Sequence, residues 1–257
     1  CGALVLVIAQ GVLGGMRVRL DARLLAQIHG CVAPAFFALS VALAVWTSRR
    51  WLHGASSSLS SDDEAASLGR SANKFRRVAF LTTLLAYVQL VLGSQLRHVR
   101  VGADVGVFQA ALWLHLLVAA ALAAHILMVA LRAMRFGGSP AGVTLPAFCL
   151  LGLLVVQLCL GAGSWVVKYG FPARWFSQYA WAQEFVVNQE GRMQALVTTA
   201  HVATGSLILV TSLLVALRSL LLPVASPARS TDGSVNTPVD RPVTDTLSRF
   251  SSTGAPA

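Results

Sequence analysis

The sequence predicts an all-α integral membrane protein with six transmembrane helices. Three observations carry that expectation. Hydrophobic residues make up 56% of the 257 and charged ones only 12%, with a mean hydropathy of +0.68. Soluble domains carry about 25% charge. Apolar runs of roughly 20 residues recur, the length that crosses a hydrocarbon core. A pattern of QxxLG, a loop, and a helix with a histidine is written three times. Such repetition constrains architecture more than any single residue does.

The first span, 1–16, begins at Cys1 already inside an apolar helix. That start leads to the expectation of further chain upstream. The second, 25–47, ends at Ser48-Arg49-Arg50-Trp51. Segment 53–70 is serine-rich and carries Asp62-Asp63-Glu64, and it reads as a flexible linker. The remaining spans are 75–96, 107–131, 143–163 and 194–222, with Gly137-Gly138-Ser139-Pro140 turning the chain into the fifth. Segment 223–257 combines Pro, Ser, Thr and Asp without apolar periodicity, so it is expected to be disordered.

The net charge of +10 would suggest nucleic acid in a soluble protein. Here the bases lie between spans, where they orient the chain or meet anionic head groups. The lipid bilayer is therefore the expected partner, and nucleic acid is not. Twelve Lys and Arg fall on the side of the linker and C-terminus, and eight on the other. This bias puts the linker and C-terminus in the cytoplasm, within an inner (cytoplasmic) membrane. The loops between QxxLG and histidine then lie outside. Cys1, Cys31, Cys149 and Cys159 form no CxxC or CxxCH, so they read as small buried hydrophobes.

The three histidines are His29, His115 and His201, each about two turns into its helix, about 7–12 Å below the outer surface. An ionisable side chain at that depth is costly and tends to face a bundle interior or a cofactor. Imidazole ligates heme iron, and two on facing helices fill both axial positions. Ala110, Ala111, Ala119, Ala120, Ala200, Ala203, Gly205 and Ser206 let a flat macrocycle approach, or let helices pack closely. Zinc would want cysteine or carboxylate beside the histidines. The spans hold no Asp or Glu, which also argues against an acid-based proton-coupled transporter. His125, ten residues past His115, cannot share its site and reads as a packing residue. His53 and His98 fall in loops.

Gln10, Gln89 and Gln157 each precede a glycine by four residues, so both lie on one helix face. They either bond between helices or support a histidine or macrocycle. Arg17, Arg97 and Arg100 follow the QxxLG ends and serve either as flank charges or as partners of heme propionates. The aromatic run from Trp165 through Tyr169, Phe171, Trp175, Phe176, Tyr179 and Trp181 suits a segment lying on the membrane.

The stretches Gln10–Trp51, Gln89–Arg132 and Gln157–Arg218, with the terminal Trp46-Thr47-Ser48-Arg49-Arg50-Trp51, resemble heme A synthase. The resemblance implies two pseudo-symmetric four-helix bundles, each with a histidine pair, of which the six spans match the third to eighth helices. By that likeness 1–51 is the second half of an N-terminal substrate-heme bundle and 52–74 a cytoplasmic linker. Segment 75–222 is a C-terminal bundle holding heme b, and 223–257 a cytoplasmic tail. His115 and His201 would ligate heme b, and His29 would ligate or orient the substrate, heme O. The partner of His29 and a family glutamate would lie upstream. The implied reaction is stepwise oxidation of a ring methyl of heme O to the aldehyde of heme A, in cytochrome oxidase cofactor biosynthesis. Heme O synthase and an electron acceptor are the implied partners, and a homo-oligomer is compatible. These six spans are expected to be inactive alone. The alternatives are a non-catalytic b-type cytochrome or heme carrier, and a helical transporter with structural histidines.

Overall fold

The computed structural model describes residues 2–20, 22–53, 62–98, 104–139, 141–169 and 191–222. They lie in one compact unit, Cys1–Ser226; the expected tail, 223–257, falls outside the described residues. The described chain is helical: α1 (Gly2–Arg19), α2 (Arg23–Trp46), the short α3 (Arg49–Leu52), α4 (Asp62–Arg97), α5 (Val105–Ala133), a 3-10 turn (Met134–Phe136), α6 (Thr144–Tyr169) and α7 (Arg192–Ser219). Six of these helices are long and apolar enough to cross a membrane.

The third span differs most from its expected bounds. α4 starts at Asp62, so the latter part of the expected linker is helical. A buried stripe reaches back into it: Leu68 packs on the core and Gly69 is buried, ahead of Ala72, Phe75, Ala79, Thr82 and Ala86. Steps of three and four residues place these on one side of a helix, whatever the charge on the other side.

Helix ends are fixed by local bonds. Ser48 breaks α2 from α3, its hydroxyl accepting the Trp51 N–H at 3.4 Å. Asp104 caps α5 by accepting the Val107 N–H at 3.1 Å. Arg76 of α4 donates to the backbone carbonyls of Ser219 (2.9 Å), Leu220 (3.5 Å) and Leu222 at the end of α7. A terminal helix carbonyl has no partner within its own helix, and one guanidinium supplies three here.

α4, α5, α6 and α7 pack in a ring: α4 touches α5 and α7, and α6 touches α5 and α7. α5 and α7 are therefore diagonal neighbours. α1 packs on α2, and α2 lies against α7 and α4, where the Tyr87 hydroxyl donates to the Cys31 carbonyl at 3.4 Å.

The packing of the ring is lopsided. Its buried residues end at Ala86 in α4 and Leu154 in α6, and begin at Leu122 in α5 and Thr204 in α7. Beyond these positions Phe108 is the exception among the described residues. One end of the ring is a packed core around Phe75, Ile126, Leu150 and Val215, and at the other end the described residues form none. Between helices in lipid, close packing of this kind supplies much of the association energy.

Candidate functional site

The site lies where the packed core stops. In α4 the core positions 72, 75, 79, 82 and 86 follow a heptad seam, and the next two positions of that seam are Gln89 and Gly93. α6 repeats this: Ala147, Leu150 and Leu154 are followed by Gln157 and Gly161. The seam keeps its direction and changes its chemistry. Glutamine and glycine thus face the interior at the level where α5 brings His115 and α7 brings His201.

The glycines receive the imidazoles. A Cβ built on Gly93 would sit 3.3 Å from Cε1 of His115, and one on Gly161 would sit 3.2 Å from Cε1 of His201. In the α1–α2 hairpin a Cβ on Gly14 would sit 3.2 Å from Cε1 of His29. All three histidines therefore rest a ring edge on the bare backbone of the preceding helix, where any side chain would press on the ring. They lie six, ten and nine residues past the first residue of their helices, or about 9, 15 and 14 Å along the axis. Two are deeper than expected because α5 and α7 start earlier.

The glutamines are the second contact. Nε2 of Gln89 lies 3.1 Å from both Nδ1 and Nε2 of His115. Nε2 of Gln157 lies 3.5 Å from Nε2 of His201. A neutral imidazole has one N–H and one acceptor nitrogen, so an amide in one orientation satisfies only one of the two. The other ring nitrogen is left for something else. The remainder is visible in the unpaired buried atoms: Nδ1 of His201, Oε1 of Gln89 and Oε1 of Gln157. In the first hairpin, Nδ1 of His29 and both polar atoms of Gln10 are also unpaired, and Gln10 is only 7% exposed. Buried polar atoms without partners are uncommon, and here they gather around the three histidines.

Two more polar groups belong to this layer and escaped the sequence reading. The Ser94 and Ser164 hydroxyls are buried and unpaired. Ser94 lies 3.7 Å from a Cβ built on Gly30, the neighbour of His29, so it faces the first hairpin. Serine directly after Gly93, and three residues after Gly161, was the available signal.

His115 and His201 lie within electrostatic reach of each other, as their diagonal helices require. His125 does not join them: its Nδ1–H donates to the Ala121 carbonyl at 2.8 Å, one turn back on its own helix. Arg17 and Arg97 are exposed at the histidine end of α1 and α4. Arg100 and the aromatic run from Phe171 to Trp181 lie outside the described residues. Gly205 brings α7 close to α6, with Nε2 of Gln157 at 3.2 Å from a Cβ built there. Small residues here thus admit the glutamine amide.

These residues fit a heme. Two imidazoles on diagonal helices, each with a ring nitrogen left over, match the two axial positions of an iron. The glycine contacts fix ring position. Among the described residues no three His, Cys, Asp or Glu side chains gather as a metal cluster. Comparison with protein-family models, curated proteins and solved structures finds no match to the chain.

Proposed function

We propose that this protein holds a heme b between α5 and α7 and acts as a heme A synthase-like membrane oxidoreductase on heme O. The observation that carries the reading is the thrice-written glycine–histidine contact, two copies of which face each other across the ring. Bound there, heme b would supply one-electron redox chemistry.

The protein's own residues have defined tasks in this reading. His115 and His201 would hold the heme through their imidazoles. Gln89 and Gln157 select which ring nitrogen is free, and Gly93 and Gly161 set how far each ring stands from the backbone. The core beyond Ala86, Leu122 and Leu154 closes the floor of the site and keeps water out. Arg17, Arg97 and Arg100 are candidates for charge-assisted bonds to propionates. His29 orients the substrate heme beside the first hairpin, with Gln10 next to it. The wider architecture of this reading is a pseudo-symmetric pair of four-helix bundles in the cytoplasmic membrane, with the C-terminus cytoplasmic. Heme O synthase and an electron acceptor are its partners.

A second reading, a b-type cytochrome or heme carrier, is favoured by one observation. The six candidate spans contain no aspartate or glutamate, so no carboxylate within these six spans can move protons.

Two measurements test these readings. Protein purified after expression with heme available should show a bis-imidazole heme spectrum, lost in His115→Ala and in His201→Ala. No heme absorbance in the parent would reject both heme readings. Pigment extracted from membranes expressing the full-length gene and supplied with heme O should contain heme A if the protein is a synthase. Bound heme b without heme A would leave the cytochrome reading.

A further inference from the structure

The end of the molecule opposite the histidines holds an arrangement the heme reading does not use. Arg50, on α3, lays its guanidinium against Gly142: a Cβ built on that glycine would lie 2.6 Å from Nη1 and 3.1 Å from Cζ. Arg218, near the end of α7, donates through Nη1 to the Gly142 carbonyl at 3.0 Å. Two guanidinium groups from helices far apart in sequence thus converge on one residue. Gly142 is suited to this place twice over, since its φ of +62° disfavours any side chain and Arg50 occupies the space one would need. The turn beneath is held by the Gly142 N–H to the Ser139 carbonyl (3.1 Å) and the Ala141 N–H to the Ser139 hydroxyl (3.2 Å).

Like charges this close repel unless an anion stands between them. Among the described side chains the one carboxylate, Asp104, caps α5 at the opposite end. Arg218 spends one nitrogen on the Gly142 carbonyl, and Arg50 is exposed. Several donors of the pair therefore remain available. Guanidinium forks match the geometry of a tetrahedral oxyanion. The ends of α2 and α7 place the pair at the membrane surface, at the depth of lipid phosphates.

We propose that Arg50 and Arg218 form a binding site for a phosphate group over the Gly142 turn. The group comes either from the head of an anionic lipid or from dissolved phosphate. The site does not depend on heme. It ties α3 and α7, which also pack through Trp51 and Leu217, to the loop before α6.

The test uses the full chain, purified in a neutral detergent and exposed to phosphatidylglycerol, phosphatidylcholine or inorganic phosphate. Native mass spectrometry reads bound lipid, and thermal melting reads stabilisation. Phosphatidylglycerol should be retained about tenfold over phosphatidylcholine, a preference that charge-assisted bonds of this kind supply. Arg50→Ala should abolish the preference, and Arg218→Lys should weaken it. Arg50 makes no bond the fold requires, so its alanine variant keeps the parent melting temperature in neutral detergent. Arg23→Gln, at the other end of α2, should leave the preference intact. Stabilisation by phosphatidylglycerol alone identifies the lipid head as the source. Stabilisation by millimolar inorganic phosphate, lost in Arg50→Ala, identifies dissolved phosphate. No preference in the parent, or equal loss in Arg23→Gln and Arg50→Ala, overturns the site.

Discussion

The α1–α2 hairpin and the α6–α7 hairpin set glycine against histidine at the same 3.2 Å, but their surroundings differ. His201 has a glutamine amide at 3.5 Å and a second imidazole across the ring. Near His29, Gln10 is buried without a partner, and α1 leans on α2 alone among its substantial contacts. α7 has half of its span buried inside the protein, whereas α1 has 6%. The local contact is therefore a property of the hairpin, written by QxxLG and the histidine. The facing pair is a property of two hairpins packed together. What a single hairpin contributes is one oriented imidazole.

The sharpest way to break this comparison is to remove imidazoles one at a time. His115→Ala and His201→Ala should each lower bound heme b at least about tenfold, read as pyridine hemochrome per protein. His29→Ala should leave that heme b content near the parent value. Equal loss from all three would mean the hairpins are not divided between two roles.

Next in size are the glycines. Gly93→Ala and Gly161→Ala push a methyl into rings held by glutamine on one side and packed helices on the other. Overpacking of that kind costs about 1–3 kcal/mol. The gain in helix propensity, about 1 kcal/mol, offsets only part of it. Melting temperature and heme content should both fall. Gly14→Ala meets a hairpin that can yield, so the two terms should nearly cancel.

The glutamines should differ in sign. Gln89→Leu loses the bond to His115 and should destabilise by about 1 kcal/mol, with a shift in the reduction potential of the bound heme. Gln10→Leu removes a buried amide that bonds to nothing, so it should stabilise the protein by about 1 kcal/mol without moving that potential. A loss of stability in Gln10→Leu would reveal a partner for Gln10. The smallest effect is expected from His125→Leu, which gives up only a bond within its own helix. Heme content should be unchanged and stability altered by about 0.5 kcal/mol.

The span count and the hairpin order were legible because each is carried by residues close in sequence; the histidine level was less so, since it depends on where α5 and α7 begin. A four-residue step puts Gln89 and Gly93 on one face without knowledge of anything else. The purpose of that glycine was not legible. Small residues near the histidines read as well for helix contact as for a flat ligand, and the contact Gly93 makes is with an imidazole. The start of α4 was obscured because its arginines and serines outweighed a sparse stripe that becomes visible only when Phe75 is seen buried. The pairing of Arg50 with Arg218 could not be read at all. It depends on a positive φ at Gly142 and on how three distant segments meet.

The lopsided ring also bears on the order of events during biogenesis. Helices joined at one end by apolar contacts can insert and associate before any pigment arrives, because the contacts that hold them lie apart from the histidines. Backbone amides around Phe75, Ile126 and Val215 should then resist hydrogen exchange in the pigment-free protein. Those around His115 and His201 should exchange quickly and gain protection only on loading. On the heme reading, the packed end forms first and the histidine end gains its final rigidity from the bound group.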